Sequence, residues 1–294
     1  MIALIALLLT VSLLPACSAA PVTYDAADAA VSANVLQAQV SEPETITYTV
    51  TMGVWEDEAQ TEDGTLLAFY RFQLPVLTAI RPDGTAITAP LNEAEEQAVS
   101  VTDAFNEKFA KWAAAEEFPE YAARAAEDLA LRQEWGGEWT PYALELTCQV
   151  YQTDHLVSIA AQYYSNTGGA HPNTCLLAWN FDLTSGTFFS PDQLAGSGEF
   201  RQTVSEELIR QARETAETAE MEPEMYFWQD YADIIGDWHS YAVSFDETGM
   251  TVAFSPYELA CYAAGPQVFH VTYEWLLPHL GEQGRTILGL ETAE

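Results

Sequence analysis

Tyr163-Tyr164-Ser165-Asn166-Thr167-Gly168-Gly169-Ala170-His171-Pro172-Asn173 lies between two runs of alternating apolar and polar residues, and reading it as a turn decides the architecture on either side. Glycine reaches positive φ without a steric penalty, so Gly168-Gly169 lets the chain reverse sharply. Pro172 biases His171 toward extended backbone and away from helix. Upstream, Val157, Ile159, Ala161 and Tyr163 share one face of a strand; downstream, Cys175, Leu177, Trp179 and Phe181 do the same. The stretch therefore predicts a β-hairpin. Its histidine either bonds a neighbouring carbonyl or presents its ring to a ligand, because binding groups tend to sit on loops held by rigid strands.

Outward from this hairpin the same period continues. Residues 142–152 alternate, with Leu144, Leu146, Cys148 and Val150 on one face. Residues 45–52 read as a first strand, 56–64 as an acidic turn, and 66–77 as a second strand ending near Pro75. From Asn92 the period becomes helical, with Phe105, Phe109 and Trp112 on one face. A second helix is expected over residues 119–134, opened by Pro119 and closed by Gly136-Gly137. Ser190-Pro191-Asp192 opens a short helix, and Phe200, Val204 and Leu208 give a longer one its apolar stripe. Asp246-Glu247-Thr248-Gly249 turns another hairpin, and a loop over 255–267 leads to a last strand at 268–273. The fold class is α+β: largely antiparallel sheet with packed helices, in two sub-domains at 45–140 and 141–294.

The first residues address the chain. Residues 1–14 are apolar and uncharged, and Leu14-Pro15-Ala16-Cys17 resembles the lipobox of bacterial lipoprotein signals. Residues 1–16 are thus expected as a signal peptide, although no Lys or Arg precedes the apolar run. Cys17 is the expected lipidation site and 17–44 a flexible spacer, so the protein is expected outside the cytoplasm, lipid-anchored to the membrane.

Charge narrows the partners. The chain has 44 acidic and 10 basic residues, a net −34. Such a chain repels phosphates, which excludes nucleic acid. It attracts cationic partners at low salt, or serves solubility alone. With Cys17 lipidated, Cys148, Cys175 and Cys261 remain. If the strands of Cys148 and Cys175 flank a third, they lie roughly 9–10 Å apart. A disulfide reaches only to about 7 Å between Cα atoms. Free, buried thiols are expected.

Landmarks recur in order: Tyr164 with Gly168-Gly169-Ala170-His171, Asn180-Phe181-Asp182 with Gly186, then Ser255-Pro256-Tyr257-Glu258, Ala260, Tyr262 and Gly265-Pro266. From about residue 142 to 277 the chain resembles the extracytoplasmic domain shared by RsiV-type anti-sigma factors and PdaC-type peptidoglycan deacetylases. Residues 45–140 are more weakly similar to its companion domain. The resemblance implies an exported binding module that recognises lysozyme, a cationic exported protein, or cell-wall glycan. Within it, Tyr164, His171, Tyr257, Glu258 and Tyr262 are the candidate ligand-binding residues. No metal-ligand spacing, nucleophile elbow, Walker loop or dinucleotide fingerprint occurs, so neither cofactor nor metal is expected. The reading is a non-catalytic binding lipoprotein. The alternative is a cell-wall glycan hydrolase or deacetylase with an unrecognised site.

Overall fold

The computed structural model describes residues 45–238 and 241–290; Cys17, the expected signal and the whole of the expected spacer lie outside them. Six strands form one sheet in the order β1-β2-β3-β4-β5-β6: Thr47–Gln60, Leu66–Ile80, Tyr142–Gln152, Leu156–Asn166, Asn173–Asp182 and Thr187–Phe189. All neighbours are antiparallel except β2 and β3, which run parallel over Ala68–Phe72 and Tyr142–Leu146. Three further strands, β7 (Ala242–Phe245), β8 (Gly249–Phe254) and β9 (Gln267–Thr272), make a second, antiparallel sheet. The molecule is α+β, as the periodicities predict. Residue 140 falls between β2 and β3, which are neighbours in one sheet.

Two helices, α1 (Glu93–Ala114) and α2 (Phe118–Trp135), supply the parallel crossover. Asn92 caps α1 by accepting the Glu95 N–H, and Gly136, with φ of 75°, ends α2 in the left-handed conformation. Phe105 and Phe109 pack from α1, and Leu129 from α2, into a core with Phe72, Leu74, Leu146, Ile159 and Phe181. The second sheet is covered by α3 (Phe200–Thr218), whose Phe200, Val204, Leu208, Ala212 and Ala216 form one fourfold-spaced ridge. This ridge meets Phe245, Met250, Val252, Phe254, Phe269 and Val271.

A buried polar chain ties the sheets together. Ser158 Oγ donates to Asn180 Oδ1 at 2.8 Å, Asn180 Nδ2 donates to the Val243 carbonyl at 2.8 Å, and Phe245 N–H donates to Ser158 Oγ at 2.7 Å. In a low-dielectric interior such bonds fix register, because an unpaired alternative is costly.

Two expectations change. Residues 56–60 continue β1 instead of turning; Glu56, Asp57 and Glu58 are exposed on an edge strand, where charge discourages further pairing. Strand β2 also runs through Pro75 to Ile80. The Leu77 N–H points away from β1, to Asn106 Oδ1 at 2.9 Å. Two residues earlier, the Pro75 nitrogen faces the same way, beyond the end of β3 pairing, so its missing N–H removes no ladder bond. Short helices at Pro223–Tyr226, Tyr231–Gly236, Tyr273–Leu276 and Glu282–Leu288 went unread in the sequence; most span too few residues to show a 3.6 period.

Side-chain amides close several strand edges. Asn106 also donates to the Leu77 carbonyl at 3.0 Å. Gln152 accepts the Val50 N–H at 3.1 Å and donates to the Tyr48 carbonyl at 2.7 Å. Gln211 accepts the His270 N–H at 3.2 Å and donates to its carbonyl at 2.8 Å. Each carboxamide offers the donor and acceptor that a neighbouring strand would.

Candidate functional site

The β4–β5 connection is the hairpin the sequence predicts, and Gly168 makes its reversal with φ of 77°. A Cβ there would also sit 2.9 Å from Asp128 Oδ2 and 3.2 Å from the Tyr142 ring. Arg132 on α2 pins this turn: it donates to the Gly168 carbonyl at 3.0 Å and to the Glu138 carbonyl at 3.2 Å, and pairs with Asp128 at 2.9 Å.

Beyond the turn, His171 is exposed and its ring is held on three sides. It stacks on Tyr262 with centroids 3.9 Å apart and planes inclined by 20°. Its Nδ1 lies 2.9 Å from the Pro172 carbonyl and its Nε2 lies 3.1 Å from Tyr257 Oη. A carbonyl only accepts, so these contacts assign the proton of a neutral ring to Nδ1 and make Nε2 the acceptor of the Tyr257 hydroxyl. Tyr262 Oη donates to the same Pro172 carbonyl at 3.1 Å, and the two tyrosine rings lie 5.5 Å apart.

The loop after β8 supplies the tyrosines. Tyr257 is 51% exposed and has φ of 73°, which costs a non-glycine residue about 1–3 kcal/mol. Its surroundings hold it there. Ser255 Oγ accepts the Leu176 N–H of β5 at 3.0 Å, Trp228 Nε1 donates to the Tyr257 carbonyl at 3.0 Å, and the Trp228 N–H donates to the Leu259 carbonyl at 3.0 Å. Glu258 accepts the Ser255 N–H, closing its own turn. Burial pushes its carboxyl above the usual range, and the bonds to Ser255 only partly offset that.

Of the five candidate residues, the structure brings His171, Tyr257 and Tyr262 together and sets Glu258 beside them in the same loop. Tyr164 lies on β4 opposite Glu145 and Thr174 and, among the described residues, has no ring contact with the cluster. The roles of Trp228, Ser255 and Arg132 were not legible in the sequence, since they depend on contacts between distant segments. Among the described residues, all three cysteines are free. Cys148 is half-buried, its thiol pushed up to about 12 by burial, but Cys261 is exposed, contrary to the buried thiol expected there. Among the described residues, no cluster of three or more His, Cys, Asp or Glu could hold a metal ion. What the site offers is a partly exposed face of two phenols around one imidazole, suited to stacking on a ring or a guanidinium.

Comparison with known proteins assigns both loops. Residues 85–174 match the family described as deacetylase PdaC, and residues 187–274 match the protein of unknown function family DUF3298. The chain is thus similar to PdaC over the first of these segments and to DUF3298 over the second. His171 comes from the first segment and Tyr257, Glu258 and Tyr262 from the second, so the cluster joins the two.

The fold has solved counterparts. A DUF3298 family member from Bacteroides fragilis NCTC 9343 is 15% identical, with a TM-score of 0.59 over 84% of this chain and 98% of its own. A DUF3298 family protein from Pseudomonas aeruginosa PAO1 is 17% identical, with a TM-score of 0.47 over 80% of this chain and 94% of its own. No curated protein sequence matches.

Proposed function

We propose that this protein is an exported, lipid-anchored and non-catalytic binding protein of the cell envelope, whose His171–Tyr257–Tyr262 face recognises a cationic exported protein of the lysozyme kind. The observation that carries the reading is the strained, exposed Tyr257, held at φ of 73° by Ser255 and Trp228 so that its ring stands beside His171 and Tyr262. Strain kept at an exposed position is characteristic of binding sites. Exposed tyrosines and tryptophans are also the side chains that anchor protein interfaces. Turnover, which the PdaC family description would suggest, has less support. Both His171 nitrogens are engaged, and the nearby Glu258 accepts its own loop's N–H.

Two measurements test the proposal. Cells fed labelled palmitate should label the wild type and not Cys17→Ala; equal label removes the anchor. Lysozyme should bind the wild type at physiological salt, and Tyr257→Ala or Tyr262→Ala should weaken it about 30-fold, the loss typical of an interface anchor. Binding that ignores both substitutions overturns this site. Release of acetate or of sugar fragments from purified peptidoglycan would overturn the non-catalytic reading.

A further inference from the structure

Beyond β6, the outer edge of β5 is only partly closed. Strand β6 pairs with β5 only at Asn180–Asp182. The outward direction of the remaining β5 edge follows from two bonds: Leu176 N–H reaches Ser255 Oγ, away from β4, and Asn180 pairs with Phe189 of β6. In an antiparallel ladder alternate residues point the same way. Thr174, Leu176 and Ala178 therefore turn their backbone N–H and C=O groups outward. Leu176 N–H has Ser255, but Ala178 N–H has no partner among the described residues. A groove of about 260 Å³ runs along this edge, with residues 176–179 as one wall and Tyr241, Ala242 and Glu258 opposite.

We propose that the β5 edge at Thr174–Ala178 is a strand-addition site, which takes an extended segment of a partner protein whose backbone replaces Ser255 at the Leu176 N–H and which carries a Lys or Arg beside Glu258. The proposal rests on the binding reading above and adds the mode of recognition. Unpaired strand edges are templates for another chain, with backbone bonds supplying affinity and flanking pockets supplying choice of side chain. The cationic side chain follows from charge. Glu258 is the acidic residue of the groove, no basic residue is paired with it among the described residues, and the whole chain carries −34. Burial holds its carboxyl above its usual range, and a cation alongside would favour the ionised form and gain a charge-assisted bond.

The test uses synthetic peptides and no lysozyme. The probe is an acetylated, amidated Val-Thr-Lys-Val-Thr-Val hexapeptide. Its control is the same peptide N-methylated at alternate residues, which keeps the charge and removes the donors on one edge. Titration at physiological salt should show the probe binding, with the N-methylated control about tenfold weaker or worse. The Ala178 amide should exchange more slowly with the probe bound. Ala178→Pro, tolerated where an N–H faces outward on an edge, should lose the probe while keeping the wild-type circular dichroism. Glu258→Gln should weaken the lysine peptide to the level of a Lys-to-Thr peptide. Equal binding of probe and control, no slowing at Ala178, or no binding at millimolar probe would each overturn strand addition. These outcomes are independent of the Tyr257→Ala result, so the failure of one reading does not masquerade as failure of the other.

Discussion

His171 shows how an exposed side chain can be ordered without being buried. One backbone carbonyl, that of Pro172, receives both its Nδ1–H and the Tyr262 hydroxyl, and the stacked ring completes the arrangement. Because this is an exposed cluster, His171→Ala should weaken partner binding several-fold while moving the unfolding free energy by about 0.5 kcal/mol or less, read by urea titration. A much larger loss would make His171 structural. Glu258 gives a pH signature. Burial raises its carboxyl, so the folded state disfavours ionisation; that cost is absent below the value of the unfolded chain, grows as pH rises from there to the raised value, and is constant above it. Glu258→Gln keeps an acceptor for the Ser255 N–H, and should melt higher than the wild type at pH 8 but together with it at pH 3. The thiols separate likewise: iodoacetamide at pH 8 should label exposed Cys261 first, and spare Cys148 until the protein unfolds. The histidine was legible in the sequence because Gly168 and Pro172 flank it. The strain at Tyr257 was not, since nothing local asks a tyrosine for positive φ; Ser255 and Trp228 impose it from elsewhere.

Strands and helices with a long period were readable, and what was missed has a physical pattern. The turn glycine, the strands around it and the α1 stripe all follow from local alternation, which is why the hairpin and the first helix were found. The continuation of β1 through Glu56–Glu58 was hidden by charge, and the passage of β2 through Pro75 by the usual meaning of proline. Edge closure was invisible because Asn106 lies 29 residues from Leu77, Gln152 102 residues from Val50, and Gln211 59 residues from His270. Asn106→Ala should cost about 2 kcal/mol in urea denaturation, removing two bonds of roughly 1 kcal/mol each. The Ser158–Asn180 chain should be less forgiving. Asn180→Ala leaves the Val243 carbonyl without its Asn180 donor and the Ser158 O–H without its acceptor in a dry interior, a loss of about 2–4 kcal/mol. An Asn180→Ala protein as stable as the wild type would show that the two sheets are joined by apolar packing alone.

Charge belongs to the molecule as a whole, and so does the prediction that follows from it. With −34 and only two lysines, Lys108 and Lys111, the surface field draws in any small basic protein from a distance. That attraction is not recognition, and salt separates the two. The Debye length falls from about 30 Å at 0.01 M to about 8 Å at 0.15 M, so steering fades while groups in contact still interact. Lysozyme should therefore associate fast at low salt and more slowly at physiological salt, with the slowing confined mostly to the on-rate. Its off-rate should depend on Tyr257 and Tyr262, which act at contact distance, and hardly on salt. An unrelated basic protein of similar size should show the on-rate effect alone and release by 0.15 M. Surface plasmon resonance over that range distinguishes the cases. If the two proteins behave alike, and substitution of the tyrosines changes neither, the acidity is a solubility device and the His171 face serves some other ligand.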